Sequence, residues 1–496
     1  MATYFNYALI TLYWVALSGL GVFGLHRIWL LIQYARVRGR RPRPANQAAT
    51  WPTVTVQLPI FNEVYVVERL IRALSRLCYP AGLLEVHVLD SSTDETAEIA
   101  RQVCESLRDS PHKIRYVHYG DRTGFKAGSL QKGLEATNSE LIAIFDADFV
   151  PPPDFLEQVI PHFQDAQIGM VQTRWTYLNE RFSWITRVQA LFLDGHFMLE
   201  QLVRSRTGKL FNFNGTAGVW RRQCLVDAGG WHFDSLTEDL DVSYRAQLQG
   251  WKFVFAPEIA SPSELPVDLN ALKTQQHRWV KGSVQTCRKQ LRSVWSSGLP
   301  FLVRLEALAH LAHGFAYVFL LLLGLLVMPV VLLRHGESTV GLEILEAGYL
   351  GLGIASVTLF YVVASYAGGA EIAKRSANLP FLFLVGIGLS LNNTLAVLEG
   401  LLSGGGEFVR TPKLDVIDCA SNRGAVRKDY LVYLGMVPWL ELTACGYFAW
   451  GVVWTATHGC HVAGLFLLLF CLGFLLVGGQ SLRQNMQVLT ASSSTT

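Results

Sequence analysis

Hydrophobic positions fall into two regimes along this 496-residue chain. Residues 1–32 and 301–482 hold long apolar runs, whereas residues 50–300 hold short ones separated by polar and amphipathic stretches. In the middle regime, Thr53–Pro59, Glu85–Leu89, Lys113–Tyr119 and Leu141–Phe145 read as strands, and Val171–Trp175 follows them. Helical patterns intervene at Val64–Leu77, Glu95–Leu107 and Gly124–Ala136, and a long one follows from Ser183 to Arg204. Strands and helices alternating at this spacing predict an α/β domain with a doubly wound, mostly parallel sheet. Leu141–Phe145 is apolar throughout, as a strand buried on both faces is, and Pro151–Pro153 stop regular structure after it. Right-handed crossovers bring Asp90, Asp146 and Asp148 to one carboxyl edge of that sheet, where such folds bind ligands.

The outer regime changes the class of protein. The chain is 51% hydrophobic and 16% charged, against roughly 25% charged in soluble domains. Leu9–Leu31 is long enough to span a bilayer, exceeds a signal-peptide core and lacks a small-residue cleavage site. Arg36, Arg38, Arg40, Arg41 and Arg43 follow it, so the positive-inside rule sets residues 50–300 in the cytoplasm and the N-terminus outside. Phe301–Leu333, Leu345–Tyr366, Tyr430–Thr455 and Cys460–Gly479 read as four further spans. Leu379–Leu402 contains Asn392, Asn393 and Glu399. Were it a span, the basic loop with Arg410, Lys413, Arg423, Arg427 and Lys428 would lie outside, so it is read as interfacial or re-entrant.

The expected domains are 1–48 (helix and basic linker), 49–270 (catalytic), 271–300 (interfacial helices, with a basic cluster at Arg288, Lys289 and Arg292) and 301–482 (membrane region). The membrane region includes 379–402 and a loop at 403–428, and a disordered tail covers 483–496. A net charge of +3 gives no sign of a nucleic-acid partner. Eight cysteines without a CxxC pair fit reduced thiols, not a zinc site or a disulfide framework.

Candidate chemistry clusters at the strand ends. Asp146 and Asp148 can share one hard cation that in turn holds a diphosphate, or can be an ordinary acidic turn. Lys126 and Arg122, in DRTGFKAGSL, suit a phosphate-bearing substrate or a plain helix start. His196 and Glu200, one helical turn apart, are read as satisfied polar groups ahead of a metal pair. Asn214 and Thr216 in FNFNGTAG offer hydrogen-bond donors. Thr237 fits a helix N-cap with Glu238 and Asp239 at the positive helix end, and Asp239 alternatively serves as a general base. In Gln275–Trp279 (QQHRW), Arg278 can bind phosphate and Trp279 can stack on a sugar, or both can anchor the helix at the membrane surface.

In this order the signals resemble the processive membrane glycosyltransferases of glycosyltransferase family 2, which include cellulose, mannan, glucomannan, hyaluronan and chitin synthases. The family's D, DxD, TED and QxxRW read here as Asp90, Asp146-Ala147-Asp148, Thr237-Glu238-Asp239 and Gln275–Trp279. The text between them is most similar to the mannan-synthase-like branch. The resemblance implies a GT-A-like catalytic domain inserted in a multi-pass protein of the cell (plasma or inner) membrane. It implies Asp90 on the nucleoside, Lys126 on the nucleotide-sugar and Arg278 on the diphosphate. Asp146 and Asp148 would hold Mg²⁺ or Mn²⁺, Asp239 would be the base, and Trp279 would be the acceptor platform. Glu238 and Gln275 would belong to the substrate site, with Asn214 and Thr216 at the acceptor end. Ser91 departs from the family, whose members often carry an acid there. Gly404–Lys413 (GGGEFVRTPK) resembles the synthases' gating loop, FxVTxK, at Phe408, Thr411 and Lys413, with Arg410 in place of Val. Read without the family, it is equally a basic loop.

The implied reaction is an inverting hexosyl transfer from GDP-mannose or UDP-glucose to a growing β-linked polysaccharide that crosses the lipid bilayer. Accessory subunits are left open. The alternative is a glycolipid synthase adding one glucose to ceramide or diacylglycerol. A transporter or inactive scaffold is the non-enzyme reading. Intact Asp239 and Arg278, and the lack of broken helices in repeated halves, argue against it.

Overall fold

Alternate residues of Leu141–Phe145 enter two separate hydrophobic layers. Ile142 and Ile144 pack with Leu130, Met170 and Trp220 on one face. Leu141, Ala143 and Phe145 pack with Val54, Val56 and Phe155 on the other. A strand covered on both sides has no position for a polar residue, which explains the unbroken apolar run.

The computed structural model describes residues 2–40, 50–336, 340–369, 371–406, 408–416 and 430–493. Arg41, Arg43, Arg423, Arg427 and Lys428, named above for their charge, lie outside these. After helix α1 (Ala2–Val37), the catalytic region runs β1 (Val54–Ile60), α2 (Val67–Leu74), β2 (Leu84–Asp90), α3 (Thr96–Ser106), β3 (Lys113–His118), α4 (Phe125–Glu135) and β4 (Leu141–Ile144). It continues with α5 (Phe155–Val159), β5 (Ile168–Tyr177), α6 (Trp184–Gly195), a π-helical segment (His196–Gln201) and α7 (Leu202–Arg206). Then come β6 (Gly218–Arg221), α8 (Arg222–Asp227), α9 (Glu238–Leu248), β7 (Lys252–Ser263) and α10 (Leu269–Ser296).

The seven strands form one sheet in the order β3-β2-β1-β4-β6-β5-β7. β1 pairs in parallel with β2 and β4, so Asp90 and Asp146 do end at the same edge. β6 runs antiparallel between β4 and β5, and β7 lies parallel to β5 on the outer edge. The sheet is thus the expected α/β one, with a single antiparallel strand.

Past α10 come α11 (Phe301–Leu311), α12 (Phe315–Arg334), α13 (Val340–Ala367), α14 (Ile372–Ser376), α15 (Leu379–Gly388), α16 (Ser390–Leu402), α17 (Val437–Thr457) and α18 (His461–Ser493). Among the described residues, α1, α12, α13 and α18 are long and apolar enough to cross a membrane. A fifth crossing results if Ile372–Gly388 and Ser390–Leu402, bent by 44°, count as one span.

Three expectations shift. Phe301–Leu333 is two helices, because α11 belongs to the catalytic side: His310 bonds the buried Tyr244 hydroxyl (2.9 Å), and Ser283 Oγ bonds Leu311 O (2.8 Å). α17 falls short of a span in hydropathy, and its fully buried Glu441 pairs with the equally buried Lys273 of α10 (2.6 Å). The last helix continues through residues 483–493, where Asn485 and Gln484 bond Asn270 (3.1 and 3.0 Å), so no disordered tail starts at 483.

Candidate active site

A cavity opens at the carboxyl edge of the sheet. Asp146, Asp148, Lys126, Asn214, Glu238, Asp239, Gln275, Arg278, Trp279, Thr411 and Lys413 all line it. These residues come from six separate places: the end of β4, the first turn of α4, the turn before β6, the first turn of α9, the stretch of α10 from Gln275 to Trp279, and the loop 408–416.

Asp146 and Asp148 each meet a lysine. Lys126 Nζ donates to Asp146 Oδ1 (2.5 Å) and to Gly215 O (3.0 Å). Lys413 Nζ donates to Asp148 Oδ2 (2.5 Å) and to Glu264 O (2.5 Å). Gly215 has φ of +81°, and a Cβ there would lie 3.1 Å from Asp239 Oδ2 and 3.3 Å from Lys126 Nζ. Only glycine both adopts that backbone and lets the acid and the ammonium come this close. Burial pushes the Asp239 carboxyl up, to about 7, and the neighbouring charge of Glu238 adds to the effect. Burial likewise raises Glu238. Asp239 therefore has the properties of a base working near neutrality.

α9 and α10 hold this acid in place. Gly282 of α10 sits against Thr237, where a Cβ would approach the threonine methyl to 2.5 Å. The Thr237 hydroxyl bonds Thr286 of α10 (3.2 Å) and makes no cap bond, so it joins helices and does not cap α9. Arg278 lies 4.1 Å from the ring centroid of Phe408.

Two predicted contacts move behind the wall. Asp90 is fully buried: its Oδ1 accepts from Ser92 N (2.8 Å), and its Oδ2 accepts from the Tyr116 hydroxyl (2.7 Å) and His118 Nδ1 (3.1 Å). It braces the turn after β2, and the cavity is lined there by Ser91. Thr216 is 1% exposed, and its hydroxyl accepts from Asp146 N (2.8 Å), so it positions the acid. His196 bonds Glu200 (3.2 Å) and Asn214 (3.1 Å), a satisfied polar pair as expected. Lys289, of the basic cluster in 271–300, bonds Asp234 (2.8 Å) and Asp241 (3.1 Å).

Sequence reasoning missed Glu63 and Glu264, which also line the cavity. Burial raises Glu63 to about 8, with Arg410 working against that rise 3.4 Å away. Asn214 Nδ2, Arg278 Nε and Thr411 Oγ1 are buried without a hydrogen-bond partner. Buried polar atoms are rarely left so, and all three residues line this cavity.

Residues 52–282 match the family described as Glycosyltransferase like family 2, and residues 224–404 match Cellulose synthase. Probable glucomannan 4-beta-mannosyltransferase 9 of Oryza sativa subsp. japonica is 34% identical over 458 residues, covering 88% of this chain and 83% of the relative. Glucomannan 4-beta-mannosyltransferase 1 of Cyamopsis tetragonoloba is 39% identical over 279 residues, 55% of this chain. That match spans about half (52%) of the relative's length. A mannosyltransferase from Pyrobaculum calidifontis, solved with GDP-Man and Mn²⁺, shares the fold at a TM-score of 0.55 and 19% identity, over 78% of this chain and 98% of that one. With its long apolar helices the chain is a membrane protein, and it belongs to the cellulose-synthase-like glycosyltransferases of family 2.

Proposed function

We propose that the enzyme transfers mannose from GDP-mannose to the end of a growing β-1,4-linked glycan, with inversion at the anomeric carbon. The observation that carries this reading is the convergence of Asp239, Lys126 and Arg278 on the cavity that Asp146 and Asp148 line. The names of the relatives support mannose over glucose, and a 4-β linkage.

Asp146 and Asp148 offer hard oxygen donors one residue apart, 33% and 14% exposed, and both already face cationic nitrogens, so they fit Mg²⁺ or Mn²⁺. The ion would supply charge neutralisation for the departing diphosphate. Arg278 and Lys413 add fixed positive charge for the phosphate oxygens. Lys126 holds Asp146 in place and lies close to Asp239. The acceptor hydroxyl oxygen attacks the anomeric carbon, the bond to the diphosphate oxygen breaks, and the hydroxyl proton passes to Asp239. Asn214 Nδ2 and the Trp279 ring are available to the acceptor sugar. With the catalytic domain on the cytoplasmic side, the nucleotide-sugar would enter from the cytosol and the glycan would leave across the bilayer.

The test is Asp239→Asn in native membranes, assayed with labelled GDP-mannose and UDP-glucose and with the product sized. Transfer should fall about 10²- to 10⁴-fold, the usual worth of a general base. The wild type should make a polymer from GDP-mannose that a β-mannanase degrades. Full activity of the variant would end the base assignment, and a single-sugar lipid product would move the enzyme to glycolipid synthesis.

A further inference from the structure

Phe408, Arg410, Thr411 and Lys413 line the cavity, and the way their loop is held there singles out a residue outside every recognised motif. Glu264 stands one residue past β7. Its own N–H bonds Asp148 O (3.2 Å), which ties it to the acidic turn. Its carboxylate is 1% exposed and accepts from Leu414 N (2.9 Å) and Arg69 Nη2 (3.2 Å). Its carbonyl oxygen accepts from Lys413 Nζ, the same ammonium that meets Asp148. Arg69 in turn pairs with the carboxylate of Asp415. Three consecutive loop residues thus end on Glu264 or on its partner Arg69.

The upstream end of the loop is pinned separately. Gly405 N bonds Asp234 O (2.9 Å), and Gln285 Nε2 bonds Gly405 O (2.6 Å). Between the two attachments, Thr411 keeps its hydroxyl buried and without a partner on the cavity side.

A carboxylate this buried is costly unless its charge is answered. Of the groups that answer Glu264, the Leu414 N–H and the Lys413 ammonium belong to the loop, and Arg69 belongs to α2. Withdrawing the loop leaves the acid with Arg69 alone and removes Lys413 from Asp148. Glu264 therefore favours the docked loop even though it reaches no reacting atom.

We infer that Glu264 is the positioning residue that docks the 408–416 loop over the diphosphate site and so sets where Lys413 and Thr411 meet the donor. This rests on the proposed donor site, in which Lys413 meets the phosphate oxygens, and on the loop's resemblance to the synthases' gating loop. It assigns Glu264 to lid closure, separate from Asp239 and the acidic turn, which carry the chemistry.

The experiment is hydrogen exchange by mass spectrometry on the full-length protein in detergent, with and without GDP and Mn²⁺, for wild type, Glu264→Ala and Glu264→Gln. Exchange over 408–416 should speed up about tenfold in Glu264→Ala, the worth of losing one hydrogen bond to a charged acceptor. Glu264→Gln keeps an acceptor for Leu414 N and should fall between the two. Peptides covering β4 should not change. In transfer assays the KM for the donor should rise about tenfold while kcat falls less than about threefold, the pattern of a lost binding contribution. In a Lys413→Ala background, Glu264→Ala should add less than about twofold, because both act through one loop.

Unchanged exchange over 408–416, faster exchange spreading into β4, or fully additive losses with Lys413→Ala would each overturn the assignment. The exchange measurement needs no turnover. If no nucleotide-sugar is a substrate, the proposed reaction fails while the docking role is still decided.

Discussion

Two acidic clusters in this domain are each answered by lysines, yet they are built for different purposes. At the first, His232, Asp234 and Asp241 bring ligand atoms within 4.8 Å of one another, a spacing suited to a metal ion. Lys289 already occupies its centre, bonding His232 (3.1 Å), Asp234 (2.8 Å) and Asp241 (3.1 Å). Arg245 (2.9 Å) and Gln290 (2.8 Å) complete the shell of Asp241, which is fully buried. Lys289 and Gln290 come from the last third of the 28-residue α10, so this cluster is a closed knot that fastens α9 to α10.

The second cluster, Asp146 and Asp148, opens on the cavity. One of its two lysines, Lys413, sits on the 408–416 loop, outside any helix or strand. Proximity of ligand atoms thus says little about metal binding. What differs is whether the answering cation can leave, and whether anything else is left to hold the acids when it does.

The largest effect that separates the clusters comes from neutralising one acid in each. Asp148→Asn should lower transfer about 10²-fold or more, the scale of losing charge stabilisation at a leaving group, while chemical unfolding stays close to wild type. Asp241→Asn should do the reverse. It leaves Arg245 and Lys289 underpaired in a buried site and should cost about 3–5 kcal/mol of stability, as breaking a buried pair does. Activity in the surviving folded fraction should be largely kept. A stable but inactive Asp241→Asn would erase the distinction.

The pH profile sharpens it next. Burial, followed by the Glu238 charge, raises the Asp239 carboxyl to about 7. A base must be ionised to accept a proton, so kcat/KM should rise with pH and level off above about 7. Below that it should fall tenfold per unit, as the ionised fraction does. A profile flat from pH 5 to 8 would remove Asp239 from the proton transfer. The first cluster lies outside the cavity and should leave no limb in this profile.

Much of this architecture was legible because its signals are local. Strands β1 to β4 announced themselves by alternation or by an unbroken apolar run, and the DAD and TED residues sit at element ends on one edge, with QQHRW a little way into α10. β6 was hidden because four residues inside a glycine turn carry no period. β7 was hidden by Pro257 and Pro262, which argue against a strand, and its edge position is where proline is tolerated. Glu264 was missed for the same reason, since its place beside Asp148 depends on where β7 ends. Asp90 misled in the opposite direction. Its position after β2 was correct, but a spacing cannot tell whether a carboxylate faces the cavity or is used up by Ser92, Tyr116 and His118 behind the wall.

The smallest effect tests how finely the open cluster is held. The Thr216 hydroxyl accepts the Asp146 N–H, and no charge is involved. Thr216→Val keeps the volume and leaves that buried N–H unpaired, which costs about 1–3 kcal/mol. Relaxation of the turn should recover part of this by moving Asp146 away from Lys126. The measured result should be a donor KM raised about threefold to tenfold with the fold intact, and Thr216→Ser, which keeps the hydroxyl, should restore it. Gln290→Leu makes the matching change at the closed cluster, where one neutral bond to Asp241 is lost. There Arg245 and Lys289 still hold the acid, so stability should drop by about 1 kcal/mol and the donor KM should not move. If both substitutions shifted the KM alike, the two clusters would be coupled through α9, and the open site could not be treated as independent of the knot beneath it.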